Sequence, residues 1–418
     1  MLTALRFTVL LAGGLALAVW SLPAQTPQDG DCAVLGHQVG PVAVDVSWIR
    51  HDGTTGGALF GSSAHSGGGG LTAAPLNDGV LFTAMRNLGG TSPQLFQVDK
   101  FAMLTTIGNL PAPLGFLPTL LVDQTGDLLV LSSSTSAAAG GVFRIPMGST
   151  QLSTLVSGIV NAVAMEEDLA TGDLLVADLA GDVHRVTRSG TVSSITRGAF
   201  PAVAGVRSKM HTFFRDGTVI ATWGNQVCRF DPRSGTTTTL VLGGSATYIG
   251  LDHDPIHGQF YRGDSSALVR YDPGSGFTAL LRQWPSLFSV SDVATWGSRA
   301  LTGQGAPRPG AAFPIHLGLF SESGRAYQVA CSFGTRPGIV TPAGRIPLNL
   351  DDLLFLSLAN PAVFQGFSGR LSRSGTARLT VALPNIAGLR GLRFFVAAIT
   401  YDAAGVRRIS EPLGVLIE

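Results

Sequence analysis

Three consecutive acidic residues, Glu166, Glu167 and Asp168, form the densest carboxylate cluster of the sequence. Paired carboxylates can act as general acid and general base when their environments separate their pKa values. These three precede a glycine turn in the stretch "TGDLLVADLAGDVHRV" (171–186), and aspartate commonly stabilises such turns through its side chain. We therefore predict a solvated turn here and not a catalytic pair.

A second candidate is the stretch "LDHDPIHGQ" (251–259), in which His253 and His257 lie four residues apart. On a helix this spacing would place both rings on one face, where they could hold zinc as in HExxH. Pro255 opposes a helix and the general-base glutamate is missing, so we predict a β-hairpin without zinc. No G-x-S-x-G nucleophile motif is present. The glycine run 66–70 has no Lys-Ser/Thr after it, so we predict a flexible surface loop and not a phosphate cradle.

The elements that carry these residues form a repeat of about 45 residues. Each unit reads as an apolar strand, a glycine turn, a second apolar strand, an alternating strand and a Thr/Ser-rich strand. A period of this size filled with strands is typical of a β-propeller, and the turns predict six blades, with five or seven as alternatives. The turn glycines recur at spacings of 39 to 47 residues, at Gly79, Gly126, Gly172, Gly217, Gly258 and Gly297.

The last repeat is too short to form a whole blade. We predict that the N-terminal runs 42–49 and 57–62 supply its outer strands. Such a closure pairs the first and last strands of the propeller and removes open sheet edges.

Composition and the N-terminus narrow the class of function. Only 13% of the 418 residues are charged and the net charge is +1, which gives no indication of nucleic-acid or anionic-membrane binding. A 14-residue apolar stretch from Phe7 to Trp20, followed by small residues around Ala24, is typical of a secretory signal peptide. The stretch is shorter than the roughly 20 residues that span a membrane, and no comparable run follows it. We expect an exported protein, periplasmic or extracellular, with no transmembrane segment in the mature chain.

The three cysteines give no metal or redox motif, because no CxxC pair occurs. Cys228 and Cys331 lie in alternating, strand-like runs and are predicted to be buried free thiols. A single disulfide bridge that involves Cys32 is an alternative, because the sequence does not determine the pairing.

The C-terminal quarter of the chain has another pattern. After a Pro/Gly stretch, short alternating runs separated by Gly and Pro turns indicate a smaller β-sandwich, immunoglobulin-like in the loose sense. The fold class is therefore all-β, a six-bladed propeller followed by a sandwich. The predicted organisation is a signal peptide (1–24), a linker (25–40), the propeller (41–302), a Pro/Gly linker (303–314) and the β-sandwich (315–418).

Two stretches resemble known families. "VAMEEDLATGDLLVADLAGDVHRVTRSG" (163–190) resembles a unit of NHL-type six-bladed propellers, including the streptogramin-lyase and gluconolactonase-like groups. The resemblance covers roughly residues 72–302 and implies the fold, while such propellers include both enzymes and binding modules. "IPLNLDDLLFLSL" (346–358) resembles part of a C-terminal domain that recurs in exported proteins of planctomycete-type bacteria.

Polar side chains stand at the predicted starts of the innermost strands, around the mouth of the propeller channel. They are Thr119, Asn161, His211, Tyr248 and Asp292. An Asn, a His and an Asp that converge on one axis could bind a divalent ion or a small polar ligand. The gluconolactonase-like resemblance implies a metal held by Glu and Asn/Asp at this place, and the streptogramin-lyase resemblance implies a His-based site. The alternative is a polar channel lining that contacts water.

Three functions follow from these observations. The favoured hypothesis is an exported, non-catalytic binding protein whose partner is a protein, a glycan or a small molecule, with no cofactor implied. The second is a metal-dependent lactonase- or lyase-like enzyme in which Asn161, His211 and Asp292 hold Ca²⁺ or Mg²⁺ at the channel mouth. The third is a structural component of the cell envelope. The enzyme requires that the three side chains converge on one point.

Overall fold

The computed structural model of the protein describes most of the chain after residue 30. The described residues are 31–418 without 39–42, 63–64, 75–79, 88–92, 99–102, 111–115, 124, 135–139, 147–148, 169–170, 203–207, 214–216, 243–247, 255–257, 286–287 and 296–298. Within them, residues 32–295 form six antiparallel sheets of four strands each.

The first three strands of the chain share a sheet with a strand that follows more than 200 residues later. They are β1 (Cys32–Gln38), β2 (Ala43–Ile49) and β3 (Thr55–Ser62).

The next five sheets are each built from four consecutive strands. The first of these sheets holds β4 (His65–Ala74), β5 (Val80–Asn87), β6 (Pro93–Val98) and β7 (Leu104–Asn109). The second holds β8 (Phe116–Val122), β9 (Leu128–Ser133), β10 (Gly141–Ile145) and β11 (Ser153–Ser157). The third holds β12 (Ala162–Glu167), β13 (Leu174–Asp178), β14 (Val183–Val186) and β15 (Val192–Thr196).

The remaining two of these sheets repeat the pattern. The fourth holds β16 (Lys209–Phe213), β17 (Thr218–Trp223), β18 (Gln226–Asp231) and β19 (Thr236–Leu242). The fifth holds β20 (Tyr248–Asp254), β21 (Gln259–Asp264), β22 (Ala267–Tyr271) and β23 (Thr278–Gln283). The strand β24 (Phe288–Thr295) then returns to pair with β1.

The first strands of neighbouring sheets form a closed ring. β4 contacts β8, and contacts continue through β12, β16 and β20 to β24, which in turn contacts β4. Four-stranded antiparallel sheets arranged in this way are consistent with a β-propeller. The turn glycines of the repeat support it, since Gly126, Gly172, Gly217 and Gly258 have φ of 85°, 78°, 69° and 65°, values that favour glycine. Gly79 and Gly297 lie outside the described residues.

The N-terminal strands complete the last sheet, as the repeat pattern predicted, but the chain enters that sheet earlier than expected. β1 falls within the segment 25–40 that was predicted to be a linker, and it forms the second strand, between β24 and β2. Cys32, Ala33, Val34 and Leu35 are all fully buried there, and this burial of apolar surface explains why the segment is a strand.

The prediction of a surface loop at residues 66–70 is also wrong. It belongs to β4, an inner strand of the ring, and not to a surface loop. Glycines weaken an isolated strand, but they suit a place where backbones approach closely. The neighbours of β4 in the ring, β8 and β24, supply that crowding.

The chain beyond residue 300 forms two further sheets and a small hairpin. One sheet has the order β25, β26, β32, β30, and the other has the order β31, β27, β33, β34, with β35 also paired to β33. Their strands are β25 (Leu301–Gly303), β26 (Ala312–Gly318), β27 (Ala326–Ser332), β28 (Ile339–Thr341), β29 (Gly344–Ile346), β30 (Phe364–Gln365), β31 (Ser368–Arg370), β32 (Thr376–Ala382), β33 (Arg393–Asp402), β34 (Gly405–Ile409) and β35 (Leu413–Leu416).

Leu301–Gly303 therefore pairs with the C-terminal strand β26 and not with the last propeller sheet, where the sequence placed it. β26 itself begins at Ala312, inside the stretch 303–314 that was predicted to be a linker. The reason is burial, because Leu301 and Phe313 both belong to the hydrophobic core of the C-terminal sheets.

One hydrophobic core joins the two C-terminal sheets. It includes Ile315 and Val381 from one sheet and Val329 and Val396 from the other. Helix α1 (Asp352–Ala359) contacts β27, and its N-terminus is capped by Asp351, whose carboxylate accepts a hydrogen bond from the Leu354 N–H at 3.0 Å. Short 3₁₀ turns lie at Phe320–Glu322 and Ala387–Leu389.

The three cysteines are free and buried, which confirms the prediction for Cys228 and Cys331 and resolves the open question of Cys32. No helix in the described ranges has the length and apolar character needed to cross a membrane.

Candidate functional site: the channel of the strand ring

An ion pair joins inner strands near the start of the channel. Lys209 on β16 donates from Nζ to both carboxylate oxygens of Asp292 on β24, at 3.0 and 2.9 Å. Lys209 also donates to the backbone carbonyls of Leu71 (2.7 Å) and Val293 (3.2 Å). Asp292 accepts two further bonds, from the N–H groups of Leu71 (2.7 Å) and Val293 (2.8 Å). One buried pair thus connects β16, β24 and β4.

The next pair along the channel is His211 and Asp252. Nε2 of His211 lies 3.2 Å from Oδ1 of Asp252, and Asp252 also accepts a bond from the Thr295 N–H at 2.7 Å. Burial opposes protonation of His211, but the hydrogen bond to Asp252 and the carboxylates of Glu166 and Glu411 outweigh it and raise the pKa to about 9. His211 is therefore an imidazolium at neutral pH.

The same pair affects Asp252 in the opposite sense. Burial alone would raise the pKa of this carboxyl, yet the hydrogen bond and charge of His211, together with Lys209, lower it. Asp252 is a carboxylate at neutral pH, so the two side chains form a true ion pair. Asp292 differs, since its burial raises the pKa despite Lys209 and the backbone donors.

The acidic cluster closes the far end of the channel. Glu166 and Glu167 are 2% and 8% exposed and lie in strand β12, so the predicted solvated turn is wrong for them. Arg299 donates from Nη2 to Glu166 at 2.7 Å and from Nη1 to Glu167 at 3.3 Å and to the carbonyl of Val122 at 3.1 Å. Arg188 donates to Glu167 at 2.7 Å. The arginines explain the burial, because paired carboxylates can leave water.

Asp168 is buried as well. It accepts a hydrogen bond from Nη1 of Arg185 at 2.8 Å, and it also holds the turn, since Thr171 donates to it at 3.0 Å. The turn assignment is therefore right for Asp168, and its exposure to solvent is the part that was wrong. Asp178 serves the following turn in the same way, through bonds from the N–H groups of Ala180 (3.0 Å) and Asp182 (3.1 Å).

The C-terminal sheets cover this end of the channel. Nδ1 of His253, in β20, lies 2.6 Å from Oε1 of Glu411, two residues before the start of β35. A cavity of about 50 Å³ remains between the two parts and is lined by Glu166, Glu167, His211, Arg299, Arg393 and Glu411, among others. This volume holds a few water molecules, whereas small-molecule sites typically enclose roughly 300–1,000 Å³. Burial lowers the pKa of Arg393 to about 10.

The predicted ligand set does not come together. Thr212 donates to the carbonyl of Glu167 at 2.6 Å, so His211 lies level with the end of β12, while Asn161 precedes that strand. His211 is thus level with Glu166, five residues after Asn161, and five residues of extended strand span about 16 Å. Asn161 has a φ of 55°, and its backbone bonds with Ser134 and Leu179 at 2.7 and 3.0 Å. Tyr248 begins β20, and its side chain lies outside the described part of the chain.

The residues present do not fit a divalent cation. Asp292 already accepts bonds from an ammonium group and two amides, and His211 is protonated and paired with Asp252. Metal coordination needs a neutral imidazole and free carboxylate oxygens. In the described ranges no group of three or more His, Cys, Asp and Glu side chains has an arrangement that could hold a metal ion, although His257 of the predicted histidine pair lies outside them.

These polar side chains connect neighbouring inner strands, which do not share a backbone ladder. Thr119 donates to the carbonyl of Val163 at 3.0 Å and thereby joins β8 to β12. Thr212 joins β16 to β12, and Asp252 joins β20 to β24. Buried backbone groups must find partners, and the ring provides them from side chains.

Comparisons with known proteins were made against families, curated proteins and solved structures. No family model and no curated protein matches the sequence. A chain of the nidogen–laminin complex is 14% identical with a TM-score of 0.48, over 63% of this chain and 97% of its own length. An auxiliary nutrient binding protein from Bacteroides thetaiotaomicron is 12% identical with a TM-score of 0.42, over 60% and 64%. A protein described as a candidate gluconolactonase is 15% identical with a TM-score of 0.39, over 65% and 93%.

At these identities and TM-scores, the contacts of this chain's own side chains must decide between the functional hypotheses. The sequence identifies His211 and Asp292 as candidates, but it does not identify their partners, Asp252 and Lys209, or the partner of Glu166 and Glu167, Arg299. Lys209 carried a signal, because it is one of only two lysines in a chain with abundant arginine. Arg299 carried none, since its partners Glu166 and Glu167 are more than 130 residues away.

We expect the stability of the protein to fall between pH 6.5 and 9. The pKa of His211 is raised from 6.5 to about 9 by folding, so its contribution is complete below pH 6.5 and is lost as the pH rises toward 9. The shift corresponds to about 3 kcal/mol of unfolding free energy. The carboxylates that act on the His211 imidazole are Asp252, Glu166 and Glu411. Arg299 and Arg393 line the same cavity.

The measurement is urea unfolding from pH 6 to 8.5, for the protein and for the His211→Gln variant. The upper limit avoids the buried thiols, since burial raises the pKa of Cys228 to about 11 and also raises those of Cys32 and Cys331. In the variant, the unfolding free energy should depend much less on pH. An equal slope in both proteins would assign the pH dependence to another group.

Proposed function

We propose that the protein is an exported, non-catalytic binding protein. In this proposal residues 32–295 are a six-bladed propeller, and residues 301–418 are a β-sandwich docked on the far end of its channel. The six four-stranded sheets and the closed ring of inner strands support the blade count. The single core between the two C-terminal sheets supports the sandwich. The signal peptide, with cleavage near Ala24, belongs to the proposal and lies outside the described residues.

One observation carries the non-catalytic assignment. The carboxylate of Asp292, the best acidic candidate for a metal or a general base, accepts hydrogen bonds from Lys209 on both oxygens and from two backbone N–H groups. A carboxylate with these partners holds strands together and has no lone pair directed at a substrate. The metal-dependent lactonase or lyase would need this same side chain to be available.

The same geometry supports a partner site on an outer surface of the protein. The cavity at the channel end, about 50 Å³, is too small for a sugar lactone or a peptide side chain with its surroundings. Binding is therefore assigned to an outer surface of the protein, and the channel serves to make that surface rigid.

A metal titration tests the proposal. At about 100 times its Kd, a specifically bound ion would raise the unfolding free energy by about 2.7 kcal/mol. We expect that millimolar Ca²⁺ or Mg²⁺ leaves the unfolding midpoint unchanged and that a panel of lactones is not hydrolysed in their presence. An ion-dependent rise of the midpoint that the Asp292→Asn variant abolishes, together with lactone hydrolysis, would instead support the enzyme.

A further inference from the structure

An open groove lies on the C-terminal domain. It has a volume of about 750 Å³ and is lined by Ser323, Arg325, Arg370, Tyr401 and Asp402, among others. Its residues come from the segment that leads into β27 and from the ends of β31 and β33. β33 begins at Arg393, beside the channel cavity, and the eight residues from there to Tyr401 span about 26 Å. The groove and the channel are therefore separate places.

The aromatic ring in the groove is presented by a strand irregularity. The pairing of β33 with β34 shifts register between Thr400 and Tyr401. Thr400 is fully buried and donates to Glu322 at 2.9 Å, whereas Tyr401 is 39% exposed. A bulge of this kind redirects a side chain, and such bulges often lie next to binding sites. Tyrosine has an apolar face that can stack on the C–H face of a sugar ring, together with a polar hydroxyl.

The charged groups around Tyr401 are held in place. Arg325 donates from Nη1 to Asp402 at 2.9 Å, and its Nε lies 2.9 Å from Glu322. Asp402 is fixed in turn by the Ala404 N–H at 2.8 Å. These bonds orient the Arg325 guanidinium while its side chain stays 35% exposed. With Nη1 and Nε bonded to these two carboxylates, Arg325 would contact a ligand carboxylate through Nη2, in a direction that the two ion pairs fix.

Arg370 adds a second cation at the groove. Its Nη1 donates to the carbonyl of Gly324 at 3.2 Å, and the residue is exposed. Two arginines, Arg325 and Arg370, therefore line the groove together with one acidic side chain, Asp402. The groove thus carries a net positive charge beside a half-exposed aromatic ring, within a protein of net charge +1.

We infer that this groove binds an acidic saccharide, with Tyr401 stacked on a sugar ring and Arg325 and Arg370 bound to a carboxylate of the chain. The inference rests on the proposed binding function and names its ligand class. An acidic peptide is the less suitable occupant, because the groove crosses the ends of strands. β27 and β33 are paired on both sides, and the edge strand β31 has only three residues, so the groove offers an extended peptide only a very short strand edge.

The test uses calorimetry on the full mature chain, with oligogalacturonate as the probe and maltooligosaccharide and polyglutamate of similar length as comparators. We expect binding of oligogalacturonate only, weakened by added salt. The Tyr401→Ala and Arg370→Met variants should each weaken it about tenfold, as expected for loss of a stacking contact or a charge-assisted hydrogen bond. Both residues are exposed, and unchanged unfolding midpoints will show that the variants are folded.

The matched control is Arg345→Met, which removes the same charge from the same domain outside the groove. It should bind like the unaltered protein. Equal loss in this control, equal binding of polyglutamate or of maltooligosaccharide, or full binding by Tyr401→Ala would each overturn the inference. None of these results bears on the metal titration, so the proposed function and the ligand class fail separately.

Discussion

Replacing Arg299 with methionine is expected to lower the free energy of unfolding by about 3–5 kcal/mol. Arg299 bonds to Glu166, to Glu167 and to the carbonyl of Val122, and both glutamates are buried. Nearby carboxylates raise the pKa of Arg299 against the effect of burial, so the guanidinium stays charged. Without it, Glu166 loses the cation with which it forms an ion pair, while Glu167 keeps its ion pair with Arg188. Urea unfolding at pH 7, followed by tryptophan fluorescence, measures the loss.

Two further variants make the result for Arg299 specific. Arg282→Met removes an exposed arginine from β23 and should change the unfolding free energy by less than about 0.5 kcal/mol. The double variant Arg299→Met with Glu166→Gln should recover part of the loss, because it removes one of the two buried charges that Arg299 leaves behind. If Arg299→Met lowers the unfolding free energy no more than Arg282→Met does, the ion pairs of Arg299 with Glu166 and Glu167 do not stabilise the channel end.

Replacing Lys209 with methionine is expected to cost a similar amount, about 3–5 kcal/mol. Methionine fills a comparable volume but leaves Asp292 buried without its cation and takes a donor from the carbonyls of Leu71 and Val293. Burial already raises the pKa of Asp292, so part of the cost will be relieved by protonation of this carboxyl. The loss should therefore shrink as the pH is lowered toward 5.

The double variant Lys209→Met with Asp292→Asn separates a structural role from a metal site. If the pair only connects strands, the neutral amide keeps an acceptor for one backbone N–H group, and the double variant is more stable than Lys209→Met alone. If Asp292 were a metal ligand that Lys209 masks, the single variant would instead gain Ca²⁺ affinity. A calcium-dependent rise in the unfolding midpoint of Lys209→Met would contradict the structural role.

Ion pairs between inner strands are the common feature behind these predictions. Its charged side chains are paired across the ring, Lys209 with Asp292, His211 with Asp252, and Arg299 with Glu166 and Glu167. Buried pairs of this kind contribute little net stability over apolar packing, but the loss of one partner is costly. They set the positions of the inner strands, whose backbones are not paired with each other.

The rigid ring provides a base for the C-terminal domain. Glu411 and Arg393 of that domain approach His253 and the channel cavity. The proposed saccharide groove lies at the other end of β33, so the propeller and the ligand would occupy opposite ends of one strand. This arrangement keeps the proposed groove accessible while the channel stays covered.

The sequence by itself determined the repeat, the strands within each unit and the turns between them. These follow from local chemistry: glycine at positions of positive φ such as Gly126 and Gly172, aspartate in the turns, and apolar runs in buried strands. The closure by N-terminal strands also followed, since the last repeat lacked partners.

Only the tertiary structure decided what the polar residues do. In the sequence Glu166 has the features of a turn residue, but in the structure it is buried and accepts a hydrogen bond from Arg299, 133 positions away. In the sequence His211 and Asp292 have the features of metal ligands, but in the structure they pair with Asp252 and Lys209 of other inner strands. β1 looks like part of a linker, but it is a strand because β24, at least 250 residues further along the chain, pairs with it. The physical reason is the same each time: a buried charge or strand takes its role from the group that satisfies it, and in a closed ring that group lies far along the chain.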